Sequence, residues 1–200
     1  MRVRIIYDNK AMDGMKKAWG FSCLIEHGIR ILFDTGGNGD IFLHNLQKMD
    51  IDVSKIDAIF ISHDHWDHVT GLKAIDFAGP IYVPSSSKIN GIRLDKGEFL
   101  PGFISTGTIN GEHSLLVKSN GKILIFTGCS HNGVENVIRT AERYGEIYGI
   151  IGGFHDFERV EILKNYRMVM PCHCTRLKEK IERFDNAIEC MAGKVVEIEL

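Results

Sequence analysis

The 200-residue chain has no apolar segment long enough to target or span a membrane, and Met1-Arg2-Val3-Arg4-Ile5-Ile6 leads into a strand instead. A cytoplasmic protein with no membrane partner is therefore expected. It also has no run of lysine or arginine. Its 24 basic and 26 acidic side chains leave a net charge of -2, so nucleic acid is not the expected partner and a small molecule is. No linker is visible. A chain of this length with 44% hydrophobic residues can bury one sizeable core, and a single domain over residues 1–200 is expected. The five cysteines, Cys23, Cys129, Cys172, Cys174 and Cys190, are an odd number in a chain too long for a disulfide scaffold. Free thiols in a reducing compartment follow. Gly36-Gly37-Asn38-Gly39 lacks the lysine of a phosphate-binding loop and reads as a flexible turn.

One loop concentrates the chemistry. Ser62-His63-Asp64-His65-Trp66-Asp67-His68 places three histidines and two aspartates within six positions, directly after the apolar run Ala58-Ile59-Phe60-Ile61. Such a short unbroken run suits a strand covered on both faces. His63 and His65, two apart in extended backbone, can point the same way, while Asp67 and His68 fall where a helix begins that runs through Leu72 to Ile75. Imidazole with carboxylate suits zinc, manganese or iron, and this density of donors favours two divalent ions over one.

The chain also repeats itself. Sliding it by 92 positions lays Ser22 to Gly36 over Ser114 to Gly128 without a gap, with six of the fifteen positions identical. The same offset sets a helix at Asp40 to Met49 over one at Gly133 to Tyr144, and His63 over His155. Beyond these, Arg167 to Met170 reads as a strand ending near His173, Thr175 to Met191 as a helix capped by Thr175, and Val195 to Leu200 as a last strand. Alternating strands and helices with a duplicated core predict an α/β fold. Its form is a four-layer αββα sandwich of two mixed sheets flanked by helices.

The loop from His63 to His68, with Phe33-Asp34-Thr35-Gly36 and Pro171-Cys172-His173, resembles the motifs of the metallo-β-lactamase superfamily. Asp8-Asn9, Trp19-Gly20-Phe21-Ser22, Thr127-Gly128-Cys129-Ser130-His131, Gly152-Gly153-Phe154-His155 and Pro171-Cys172-His173-Cys174-Thr175 are similar to its branch containing the dihydropterin (aminobenzene phosphate) synthase of methanogens. The resemblance implies the αββα fold and two metal ions. One ion would take His63, His65 and His131, the other Asp67, His68 and His173. Asp34 is expected to fix the ligand loop by hydrogen bonds rather than to bind metal. Cys129 departs from the superfamily, whose hydrolases often carry a bridging aspartate there. It reads as ligand or core thiol, and His113 competes with His131. His155 is expected to line the pocket as proton donor or substrate contact. Cys172 and Cys174 should both turn away from the face of His173, because side chains alternate along extended backbone.

The expected activity is hydrolysis of an ester-like or phosphodiester bond in a small molecule by a metal-bound hydroxide. Zinc is the expected metal, and Asp67 would orient the nucleophile. The alternative is a transferase resembling the synthase, for which this chain has few residues between His68 and Pro101.

Overall fold

The apolar runs form thirteen β-strands in a computed structural model that describes residues 1–200. In chain order they are β1 (Arg2–Tyr7), β2 (Ser22–His27), β3 (Ile29–Phe33), β4 (Ala58–Phe60), β5 (Ile81–Pro84), β6 (Ile92–Leu94) and β7 (Gly97–Leu100). There follow β8 (Phe103–Ser105), β9 (Leu115–Ser119), β10 (Lys122–Thr127), β11 (Glu146–Gly153), β12 (Met168–Cys172) and β13 (Val195–Glu197). The α-helices are α1 (Gly39–Lys48), α2 (Trp66–Val69), α3 (Val134–Ala141) and α4 (Lys178–Ile181). None is long and apolar enough to cross a membrane.

Two mixed sheets result, one of seven strands in the order β13-β1-β2-β3-β4-β5-β6 and one of six in the order β12-β11-β10-β9-β8-β7. The chain divides into two compact units, each built on one sheet. The first comprises Met1–Val83, Ser87–Arg93 and Cys190–Glu199, the second Pro84–Ser86, Leu94–Glu189 and Leu200.

In the first unit, Asn38 accepts a hydrogen bond from the Ile41 amide at 3.0 Å and starts α1. Phe42 and Leu46, four apart on one face, then pack with Leu24, Leu32 and Ile59 of the sheet. Each such burial contributes about 1.5–3 kcal/mol. In the second unit Val134, Val137, Ile138 and Ala141 of α3 pack in the same way with Ile123, Ile125 and Ile150.

The repeat seen in the sequence is a repeat of topology. β2 pairs with β3 antiparallel and β3 with β4 parallel, α1 lying between the last two in the chain. Likewise β9 pairs with β10 antiparallel and β10 with β11 parallel, with α3 in the corresponding place. Each unit adds one more parallel strand, β5 beside β4 and β12 beside β11.

Three local expectations are corrected. The helix expected over 175–191 is only the single turn of α4. The Asn186 carbonyl and the Ile188 amide bond instead to Val169 of β12, at 3.0 and 2.9 Å. The Asn186 side chain donates to the carbonyls of Leu163 and Tyr166, both at 2.8 Å. Tertiary hydrogen bonds to the sheet edge thus outweigh a four-residue apolar period. The helix after His65 stops at Val69, whose φ of -121° breaks it, and a 3-10 turn over Thr70–Ala74 follows. Finally, Cys23, Cys129 and Cys174 are free thiols, whereas Cys172 and Cys190 are disulfide-bonded.

Candidate metal centre

Four residues after strand ends adopt left-handed backbone although none is glycine: Asp34 (φ 52°), Ser130 (59°), His155 (45°) and His173 (46°). They follow β3, β10, β11 and β12. Such conformations cost about 1–3 kcal/mol each and persist where the surroundings enforce them, commonly at functional sites.

In the first unit the organising group is Asp34, whose carboxylate is fully buried. Its Oδ1 accepts the Ser62 amide at 2.7 Å. Its Oδ2 accepts the Ser62 hydroxyl at 2.6 Å and faces His68 Nδ1 at 2.7 Å. Because the Ser62 hydroxyl donates to Asp34, its oxygen is left to accept, and His63 Nδ1 lies 2.9 Å from it. A carboxylate has no proton to give, so His68 carries its proton on Nδ1, and by the same relay so does His63. In its neutral form each ring then presents an unprotonated Nε2, the state a metal ligand requires.

The rings are close together. His63 lies 4.5 Å from His65 and 4.2 Å from His68 between centroids. Asp67 Oδ2 is 3.8 Å from His68 Nε2, near the about 3.4 Å that two donors of one tetrahedral ion span at bonds of about 2.1 Å. Asp64 is turned to structural use: its oxygens accept from the Ser87 hydroxyl at 2.5 Å and the Lys88 amide at 2.6 Å. Thr35 anchors the other side of the loop, donating its amide to the His68 carbonyl at 2.7 Å and its hydroxyl to the same oxygen at 3.0 Å. The glycines before α1 serve close approach rather than flexibility. Gly36 has φ 72°, and a Cβ there would lie 2.5 Å from the Tyr7 ring. Burial and the Asp34 carboxylate push the Cys23 thiol up, so Cys23 stays protonated.

The second unit contains a counterpart that the sequence reading missed. Glu112 is fully buried. Its Oε1 accepts the amides of Cys129 and Ser130, each at 2.8 Å. Its Oε2 accepts the His131 amide at 2.8 Å and faces His131 Nδ1 at 2.9 Å. Glu112 does for His131 what Asp34 does for His68. His113, the adjacent competitor, is buried with its Nδ1 3.1 Å from the Ser105 hydroxyl.

His131 and His155 stand with ring centroids 5.1 Å apart and line a cavity of about 590 Å³ with Phe154, Phe157, Glu135 and Arg159. His155 Nδ1 is held by Asp156 at 2.9 Å, and Arg159 pairs with Glu135 at 2.8 Å. His173 has the sulfurs of Cys129 and Cys174 beside it, the three donor atoms lying within 4.8 Å of one another. This corrects the expectation that Cys174 faces away, because left-handed backbone at His173 interrupts the strand alternation.

A family model described as the metallo-β-lactamase superfamily matches residues 20–106. A solved metal-dependent hydrolase of the β-lactamase superfamily matches with a TM-score of 0.81 at 23% identity, covering 99% of each chain. Over residues 20–106 the chain is similar to the metallo-β-lactamase superfamily. Its two mixed sheets with helices are the metallo-β-lactamase fold, as the strand order and the repeat imply. The chain is also similar to two proteins of Methanocaldococcus jannaschii. One, an uncharacterised protein, is 26% identical over 263 positions, covering 98% of this chain and all of the other. The second is the 7,8-dihydropterin-6-methyl-4-(β-D-ribofuranosyl)-aminobenzene-5'-phosphate synthase, 26% identical over 261 positions, covering 88% of this chain and 89% of the synthase. Since this chain has 200 residues, at least 61 of those 261 positions face no residue here.

Proposed function

We propose that the protein is a metal-dependent hydrolase acting on an ester-like or phosphodiester bond in a small molecule, with water as the nucleophile. The observation that carries this reading is the commitment of two buried carboxylates, Asp34 and Glu112, to the Nδ1 side of a histidine each. Burying a carboxylate is costly unless its hydrogen bonds are made. Here those bonds fix the tautomer of His68 and His131 and leave Nε2 as the only lone pair on offer. The donors fit a divalent ion, and zinc is the proposed occupant, with manganese or iron served by the same groups. When bound, such an ion makes water acidic enough to lose a proton near neutral pH and polarises the scissile bond.

The residues then divide the remaining work. Within the first unit, His63 and His65 would serve one of two ions and Asp67 and His68 the other, and Asp67 would also orient the nucleophile. His131 and His173 belong to the other unit, and metal analysis of their variants tests their part. His155, fixed at Nδ1 by Asp156, presents Nε2 to the pocket, where it donates a proton to the leaving group as the imidazolium or contacts the substrate as the neutral ring. The cavity of about 590 Å³ is of small-molecule size.

A transferase like the synthase is the second reading, favoured by the 26% identity over 88% of this chain. The positions missing relative to that match weigh against it. The test is a panel of esters, thioesters and phosphodiesters offered to apoprotein and to protein reloaded with zinc. Turnover of at least one class in the reloaded protein alone supports hydrolysis, and none with any class contradicts it.

A further inference from the structure

Unit two holds more sulfur around His173 than hydrolysis requires. Cys129 Sγ, a ring nitrogen of His173 and Cys174 Sγ lie within 4.8 Å of one another, and both cysteines are free thiols. The grouping is built by four features of the chain. The Cys129 amide is tied to Glu112 at 2.8 Å, which fixes the turn after β10. Left-handed backbone at His173, φ 46°, turns the residue after it toward that strand end. The turn is then closed by Thr175, whose amide and hydroxyl donate to the Cys172 carbonyl at 3.2 and 2.7 Å. Finally, the Cys174 sulfur occupies the space that a side chain at position 153 would fill. A Cβ on Gly153 would lie 2.6 Å from that sulfur and 3.3 Å from Cys129 Cα.

We propose that Cys129, His173 and Cys174 form a two-sulfur, one-nitrogen face for a thiophilic divalent ion, zinc or iron(II), in preference to manganese or magnesium. Metal–sulfur bonds of about 2.3 Å at a tetrahedral ion hold two sulfurs about 3.8 Å apart. Donors already within 4.8 Å reach that spacing by small side-chain rotations. Each thiol binds as thiolate and gives its proton to solvent, so occupation by both sulfurs releases two protons. Cys129 is buried, at 3% exposure, whereas Cys174 is partly exposed and gives the ion its way in. Soft sulfur donors select zinc and iron over the harder ions served by carboxylate and water. This concerns metal binding in one unit and holds whether or not the protein hydrolyses anything.

The full-length protein, kept anaerobic without added thiol, is loaded with cobalt(II), and the near-ultraviolet sulfur-to-cobalt absorption is recorded. The proposal expects a band that falls by about half in Cys129→Ser and in Cys174→Ser, disappears in the double variant, and is unchanged in Cys23→Ala. X-ray absorption at the zinc edge of the wild type, which needs no variant to fold, should resolve sulfur neighbours at about 2.3 Å. No band and no sulfur neighbours, a band that survives the double substitution, or a band carried by one cysteine alone would each overturn it. Turnover without the band would count against this inference only. The band without turnover would count against the hydrolase reading only.

Discussion

Replacing Asp34 by alanine or by asparagine separates what its carboxylate does for the fold from what it does for the histidines. Alanine removes the acceptor for three buried donors: the Ser62 amide at 2.7 Å, the Ser62 hydroxyl at 2.6 Å and His68 Nδ1 at 2.7 Å. A buried donor left unsatisfied costs about 1–3 kcal/mol. Water entering the vacated space recovers part of this, so a total of about 3–5 kcal/mol is expected. Asparagine behaves differently. Its carbonyl oxygen must stay opposite the Ser62 amide, which cannot stop donating, and its NH2 therefore falls at the Oδ2 position. There it meets Ser62 Oγ and His68 Nδ1 as a donor. The hydroxyl can turn and accept, but His68 can accept only by moving its proton to Nε2, which removes the lone pair meant for the metal. Asp34→Asn should therefore cost only about 1–2 kcal/mol of stability while lowering metal affinity about 10- to 100-fold. Urea unfolding of the metal-free proteins, with m-values compared, gives the first quantity. Zinc competition with a chelator gives the second. An asparagine variant that binds zinc within about twofold of wild type would refute the tautomer argument.

The other variants probe the same logic elsewhere. Glu112→Gln should destabilise the protein by about 1–3 kcal/mol and reduce its metal content, because one amide hydrogen must then face the buried donors of Cys129, Ser130 or His131. Restored stability in the more severe Glu112→Ala would contradict that account. His65 is exposed, so His65→Ala should leave stability within about 0.5 kcal/mol yet lower the bound metal measured by elemental analysis. Unchanged metal content would remove His65 from the ligands. Gly153→Ala should cost about 1–3 kcal/mol by overpacking, since the new Cβ would lie 2.4 Å from the Gly128 carbonyl oxygen. A thermal melt at the wild-type midpoint would show that this contact relaxes freely.

Much of this architecture is legible in the sequence because it depends on local pattern. The run Ala58-Ile59-Phe60-Ile61 fixes a buried strand, the donors follow it at once, and the 92-residue offset reproduces in β2, β3, α1, β4 and β9, β10, α3, β11. Asp34 could be assigned to the support of the loop because it ends its strand within Phe33-Asp34-Thr35-Gly36, the segment that resembles the superfamily's first motif. Glu112 was missed because nothing local marks it. It lies 19 residues from His131, outside any strand, and beside a histidine that draws attention first. The segment after Thr175 misled for the opposite reason. Leu177, Ile181, Phe184 and Ile188 have helical spacing, but the backbone around Asn186 finds its hydrogen bonds on β12 instead. Cys174 was misplaced because alternation holds only while the backbone stays extended, and His173 leaves that region.

The central claim is that a metal-activated water, and not an organic acceptor, attacks the substrate. Turnover by the zinc-loaded protein in oxygen-18 water tests this directly, using whichever ester, thioester or phosphodiester the substrate panel identifies. The account predicts one solvent oxygen per bond cleaved, carried by the carboxylic acid or phosphate product and not by the released alcohol or thiol. A product formed without solvent oxygen, or formed only when a second organic substrate is supplied, would contradict it and favour the transferase.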